Sequence, residues 1–95
     1  MENNDVNRRV ERQLLRRSRC ARPVAAWRAV CGPASLELDG WTVAQAAGIS
    51  PREAAKCLAE LARFGLLIDA GPGVYSVACE AAIERRLASW EKETP

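Results

Sequence analysis

The sequence predicts a mainly α-helical fold carrying one small β-hairpin, and three observations point there. Two helix-start signals lie close together, Thr42 with Gln45 three residues on and Ser50–Pro51 with Glu53, separated by Gly48. Two short β-compatible runs, Leu66–Leu67–Ile68 and Val74–Tyr75–Ser76–Val77, flank the loop-forming Ala70–Gly71–Pro72–Gly73. Apolar residues at helical spacing mark both ends of the chain. With 95 residues and no repeat or low-complexity stretch, residues 1–95 read as one domain.

Taken in order, residues 4–20 read as an amphipathic helix. Val6, Val10 and Leu14 make its apolar stripe, and Arg8, Arg9, Arg12 and Arg16 lie on its other faces. Arg22–Pro23 ends it, and Pro23 suits the first turn of a second helix over 23–31, with Val24, Trp27 and Cys31 on one side. Gly32–Pro33 stops that helix. Ala34–Ser35–Leu36–Glu37–Leu38 alternates and reads as a brief strand or an extended linker, and Asp39–Gly40 reads as a turn. Thr42 then opens a short helix through Ala47, which Gly48 terminates. Ser50–Pro51–Arg52–Glu53 combines a capping box with proline at the first helical position, the strongest start signal in the chain. The helix it opens runs to Phe64 and stops at Gly65, so residues 42–64 are helix, turn, helix. The hairpin covers 66–77, and a last helix over 79–92 sets Cys79, Ile83, Leu87 and Trp90 along one face.

Composition adds constraints. Apolar residues make up 48% of the chain, but many are alanines that bury little area each. The heavier core material is Leu, Val and Ile together with Trp27, Trp41, Phe64, Tyr75 and Trp90. So thin a core suggests that a second copy of the chain buries more surface. The net charge of +2 conceals an asymmetry: from Val6 to Arg28 there are eight arginines against one acid, Glu11. Such a basic segment on a near-neutral body suggests a polyanionic partner. The N-terminus is polar and arginine-rich with no apolar signal core, and no run approaches bilayer-spanning length. A cytoplasmic protein with reduced thiols and no membrane partner is therefore expected.

The stretch WTVAQAAGISPREAAKCLAELARFGLLIDAGPGVYSV, residues 41–77, resembles the winged helix-turn-helix of small bacterial transcriptional regulators of the MarR and ArsR kind. The resemblance is carried by Gly48–Ile49–Ser50 followed by Leu58, Leu61, Phe64, Gly65, Leu66 and Leu67. It implies a recognition helix beginning at Pro51, a wing at 66–77, and terminal helices that form a homodimer interface. Dimer contacts are then expected from Val6, Val10, Leu14, Ile83, Leu87 and Trp90. The chain departs from the family pattern in a short helix before Gly48, an alanine-rich recognition helix, and a wing tip without arginine or lysine.

The recognition helix supports the same reading position by position. At roughly 100° per residue, Ala54, Cys57, Leu58, Leu61 and Phe64 fall on one side. Arg52, Lys56, Ala59 and Arg63 fall within a narrow arc opposite, the arrangement a groove-entering helix needs. Arg52 is suited to bidentate donation to guanine, Lys56 to guanine or phosphate, and Ser50, Thr42 and Gln45 to phosphate. Glu53 and Glu60 stand at spacings that allow ion pairs within the helix. The expected function is sequence-specific binding of double-stranded DNA as a dimeric transcriptional regulator. The alternative is a winged-helix protein-interaction module that touches no DNA.

Other chemistries have little support in the residues. The chain has no histidine, no glycine-rich phosphate loop and no clustered carboxylates, so no enzyme, metal site or cofactor is expected. Cys31, Cys57 and Cys79 read as small buried apolar residues. Cys20, among Arg17, Arg19 and Arg22, is the one thiol whose surroundings favour a reactive thiolate.

Overall fold

A computed structural model describes residues 4–18, 22–31, 39–71 and 73–93. Five helices and two strands follow one another as α1 (Asn4–Arg17), α2 (Arg22–Val30), α3 (Gly40–Ala47), α4 (Pro51–Arg63), β1 (Leu67–Gly71), β2 (Val74–Val77) and α5 (Glu80–Glu93). The fold is mainly helical with one antiparallel hairpin, as the sequence predicts. The extended segment expected at 34–38 lies outside the described residues, as does Cys20.

The two start signals behave differently. Ser50 caps α4 as expected: its Oγ accepts from the Glu53 N–H at 3.1 Å, and the Glu53 carboxylate accepts from the Ser50 N–H at 3.2 Å. Thr42, by contrast, does not open α3. The helix begins two residues earlier, at Gly40, with Asp39 as its cap, and Asp39 Oδ1 accepts from the Thr42 N–H at 2.7 Å. A carboxylate is as good an N-cap as a hydroxyl, and the earlier site gains another half turn of hydrogen-bonded backbone. At its far end, α3 stops at Gly48, whose φ of 73° is the left-handed region that glycine enters without Cβ strain.

The core forms where these helices meet. Trp27 of α2, Val43 of α3, and Leu58 and Leu61 of α4 are fully buried together. Beyond α4, Leu66 leads into the hairpin, and the Ala78 N–H donates to the Leu66 carbonyl at 3.0 Å to close its base. The strands pair Leu67 with Val77, Ile68 with Ser76 and Asp69 with Tyr75, then shift register before Gly71 pairs with Val74. β1 thus runs through Ala70 and Gly71, which the sequence suggested for the loop tip. Asp69 Oδ1 accepts from the Gly71 N–H at 3.0 Å and fixes the irregular step.

The terminal helices correct one expectation. α1 and α5 pack against each other within a single chain, and Val10, Leu14, Ile83, Leu87 and Trp90 are all buried there, with Val6 partly buried against the same core. Of the six residues expected at a dimer interface, five are covered within one chain and Val6 is covered in part. The physical reason is the thin core itself: two complementary apolar stripes on one chain cover each other before a partner is needed. Trp90 anchors the junction, meeting Phe64 edge-on at 5.5 Å while the Arg17 guanidinium lies 4.6 Å from its ring centre.

Trp41 is a second correction. Counted toward the core by its type, it stands 71% exposed on the first turn of α3. Among the described thiols, Cys57 is buried, and Cys31 and Cys79 are exposed. Although Cys31 is exposed by surface area, the surrounding protein and then the Glu11 carboxylate push its thiol up to about 11, so it stays protonated at neutral pH.

Candidate nucleic-acid interface

α4 carries the site. Its inner face, Ala54, Cys57, Leu58 and Leu61, is buried, which fixes the rotation of the helix and turns Arg52, Ala55, Lys56, Ala59 and Arg63 to solvent. The capping box and Pro51 hold the first turn, so Arg52 projects from a rigid N-terminal end. Small alanines between the cations let a bulky partner approach the helix backbone closely.

Electrostatics favours this face. The sequence allowed Glu53 and Glu60 to neutralise the cations of their own helix. Instead, Glu53 reaches across to α2, where Arg22 Nε lies 3.0 Å from its Oε2. The Ser50 N–H first, and the Arg22 charge after it, hold the Glu53 carboxyl below the usual range. Among the described residues, Arg52, Lys56 and Arg63 make no ion pair within 4.0 Å. Arg22, Ser50, Arg52, Glu53 and Lys56 line an open recess of about 590 Å³ between α2 and α4. Arg22 was not foreseen as part of this surface, because no helical or strand spacing relates residue 22 to residue 53.

The remaining predicted contacts divide. Gln45 is exposed on α3, one turn from Trp41. Ser50 is exposed, but its hydroxyl serves the cap: the Oγ accepts from the Glu53 N–H and the hydroxyl also stabilises the Glu53 carboxylate, so a phosphate would compete with that carboxylate for its proton. Thr42 is half-buried and drawn into the α3 cap; its backbone N–H and then its side chain hold the Asp39 carboxyl below the usual range. It is therefore the least available of the six residues expected at DNA.

The hairpin contributes no cation among its described residues. Ile68 is 54% and Val74 46% exposed, and the register puts them on one face with Ser76. No helix is long and apolar enough to cross a membrane, and no three His, Cys, Asp or Glu side chains among the described residues are grouped to hold a metal. Comparison with protein-family models, curated proteins and solved structures finds no match, so the reading of this surface rests on the chain's own residues.

Proposed function

We propose that this protein binds double-stranded DNA through the outer face of α4, in the manner of a winged helix-turn-helix transcriptional regulator. The observation that carries the reading is the unpaired basic arc of Arg52, Lys56 and Arg63 on a helix whose opposite face is locked into the core. Arg52 and Lys56, nearest the capped end, read base edges. Arg63 and the Ser50 hydroxyl hold phosphates, with Gln45 of α3 on the flanking backbone. The hairpin, lacking cations, contributes backbone contacts at most.

The test is in vitro selection of the purified protein against a random duplex library at moderate salt. Enrichment of a motif supports sequence-specific reading. A palindromic motif further requires two copies to meet through a surface other than the α1–α5 stripes. Retention that vanishes with rising salt and yields no motif reduces the contact to phosphate attraction.

A second reading has its own support. Ile68 and Val74 expose apolar surface on a cation-free hairpin, which fits a protein partner better than a minor groove. If selection fails, this face and not α4 is the one to probe for a protein-interaction role.

A further inference from the structure

Trp41 has no explanation in the fold. The other two tryptophans, Trp27 and Trp90, are 1% and 4% exposed, whereas Trp41 stands 71% exposed. Tryptophan, with an apolar ring and one N–H donor, is a residue type enriched at contact surfaces.

Its position identifies the partner. The residue before it, Gly40, sits against the first turn of α4: a Cβ there would lie 3.6 Å from the Pro51 carbonyl oxygen and 4.0 Å from the Ala55 Cβ. Ala55 is itself exposed, so the starts of α3 and α4 meet at the surface. Trp41 follows Gly40 and Arg52 follows Pro51 at that junction, and both are exposed. Along α3, Trp41 and Gln45 are one turn apart and both exposed, while Val43 and Ala44 are buried. Trp41 thus stands exposed on α3 next to the residue that packs against the start of α4, the end of that helix at which Arg52 is carried. The nearest acid in sequence, Asp39, has its carboxylate occupied by the Thr42 and Trp41 backbone N–H groups, which answer its charge at the helix cap.

We propose that Trp41 is a DNA-backbone contact, its ring lying on a deoxyribose and its indole N–H donating to a phosphate oxygen beside the groove that α4 enters. This rests on the DNA-binding reading above and adds a residue that reading did not contain. Indole suits the role because it offers an apolar face, one donor and no acceptor to repel phosphate. Sugar and phosphate are alike in every sequence, so Trp41 contributes affinity and register without base preference.

The exposure difference supplies the experiment. Because Trp27 and Trp90 are buried, acrylamide-quenchable emission of the intact protein comes from Trp41, and Trp41→Phe removes it. Binding is followed by the anisotropy of an end-labelled mixed-sequence duplex of about 30 base pairs at about 50 mM salt, where phosphate attraction is strong. Quenching is measured in parallel with the unlabelled duplex. The expected result is saturable binding with Trp41 emission protected from acrylamide. Trp41→Ala is expected to weaken binding roughly tenfold on every sequence tried, with the circular dichroism spectrum unchanged. Binding with Trp41 as quenchable as in the free protein overturns this proposal and leaves the DNA reading standing. No binding to any duplex at that salt overturns both.

Discussion

The chain has two basic regions that look alike in sequence and differ in what surrounds them. In the N-terminal region, Arg9 makes a two-pronged contact with Glu91 at 2.9 and 2.7 Å, Arg17 reaches Glu93 at 3.1 Å, and Arg28 holds Glu11 through two bonds. On α4, Arg52, Lys56 and Arg63 have no such partners within 4.0 Å among the described residues. Glu53 pairs with Arg22 while still feeling the Lys56 charge, and Glu60 lies beside Lys56 and Arg63 without an ion pair at that distance. The region with more arginines is thus the more neutralised. Charge density along a sequence does not locate a polyanion site; the placement of the carboxylates does. On α1, Arg8, Arg12 and Arg16 remain exposed, so the comparison is between a region in which some surface arginines are ion-paired and a helix in which none of the three cations is.

The sharpest break of that comparison is at Trp90, where the terminal helices meet α4. Trp90→Ala is expected to cost about 3–5 kcal/mol in chemical denaturation, since it opens a cavity beneath Phe64 and removes the ring under Arg17. A loss below about 1 kcal/mol would mean that α5 is a loosely attached tail.

Next comes the functional contrast. The triple variant Arg52→Ala, Lys56→Ala and Arg63→Ala is expected to weaken duplex binding roughly a hundredfold, to relax sequence preference, and to lower the salt slope by about one for the lost Arg63 phosphate contact. The matching variant Arg9→Ala, Arg17→Ala and Arg28→Ala should leave affinity within about twofold while lowering stability, because exposed ion pairs each contribute little. Equal effects on DNA from both triples would erase the distinction. Anisotropy titrations over a salt series check it.

Ser50→Ala removes the α4 cap together with the hydroxyl proposed to hold a phosphate. Loss of the cap is expected to destabilise the fold by about 1 kcal/mol. Binding should weaken with it if the first turn of α4 must be held for Arg52 to act. Denaturation and anisotropy on the same sample separate the two.

The smallest effect expected is in acid. The bond from Arg9 holds the Glu91 carboxyl below the usual range, and the nearby charges of Arg9 and Arg12 act in the same direction. A carboxylate lowered in the folded state stabilises above its unfolded value of 4.5, and that contribution is lost as pH falls through the folded value. Stability should therefore decline below about pH 4.5. Glu91→Gln should flatten part of that decline, with Glu53 and Asp39 accounting for more of it, since both are lowered too. An unchanged acid limb in the variant would assign the decline wholly to the helix caps.

Much of this architecture is legible in the residues, and the exceptions have physical causes. Local signals worked where one element decides: Ser50–Pro51–Arg52–Glu53 started α4, and Gly48 stopped α3. The rotation of α4 was also readable, because its apolar face is continuous. Thr42 misled because Asp39 offered a competing cap that the turn reading of Asp39–Gly40 obscured. The dimer stripes misled because helical periodicity reports that a face is covered, not by what; here α1 and α5 cover each other. Arg22 and Trp41 were invisible as site residues for a related reason. One is placed by a contact 31 residues away in the chain, and the other is of a type normally assigned to the core.

The pairing of α1 with α5 also shapes how this protein comes into being. Arg9 and Glu91 are 82 residues apart, so α1 finds its ionic partner only after all the elements between them have been synthesised. Until then Val10 and Leu14 have α2 beside them but not α5, and the ring of Trp90 does not yet exist. Such long-range closure must overcome chain entropy before its contacts contribute, which places it late in folding. The helix-turn-helix and hairpin between them are built from near neighbours and can form sooner. On this order of events, the α4 face proposed for DNA takes shape first, and α1 and α5 then close the core around it.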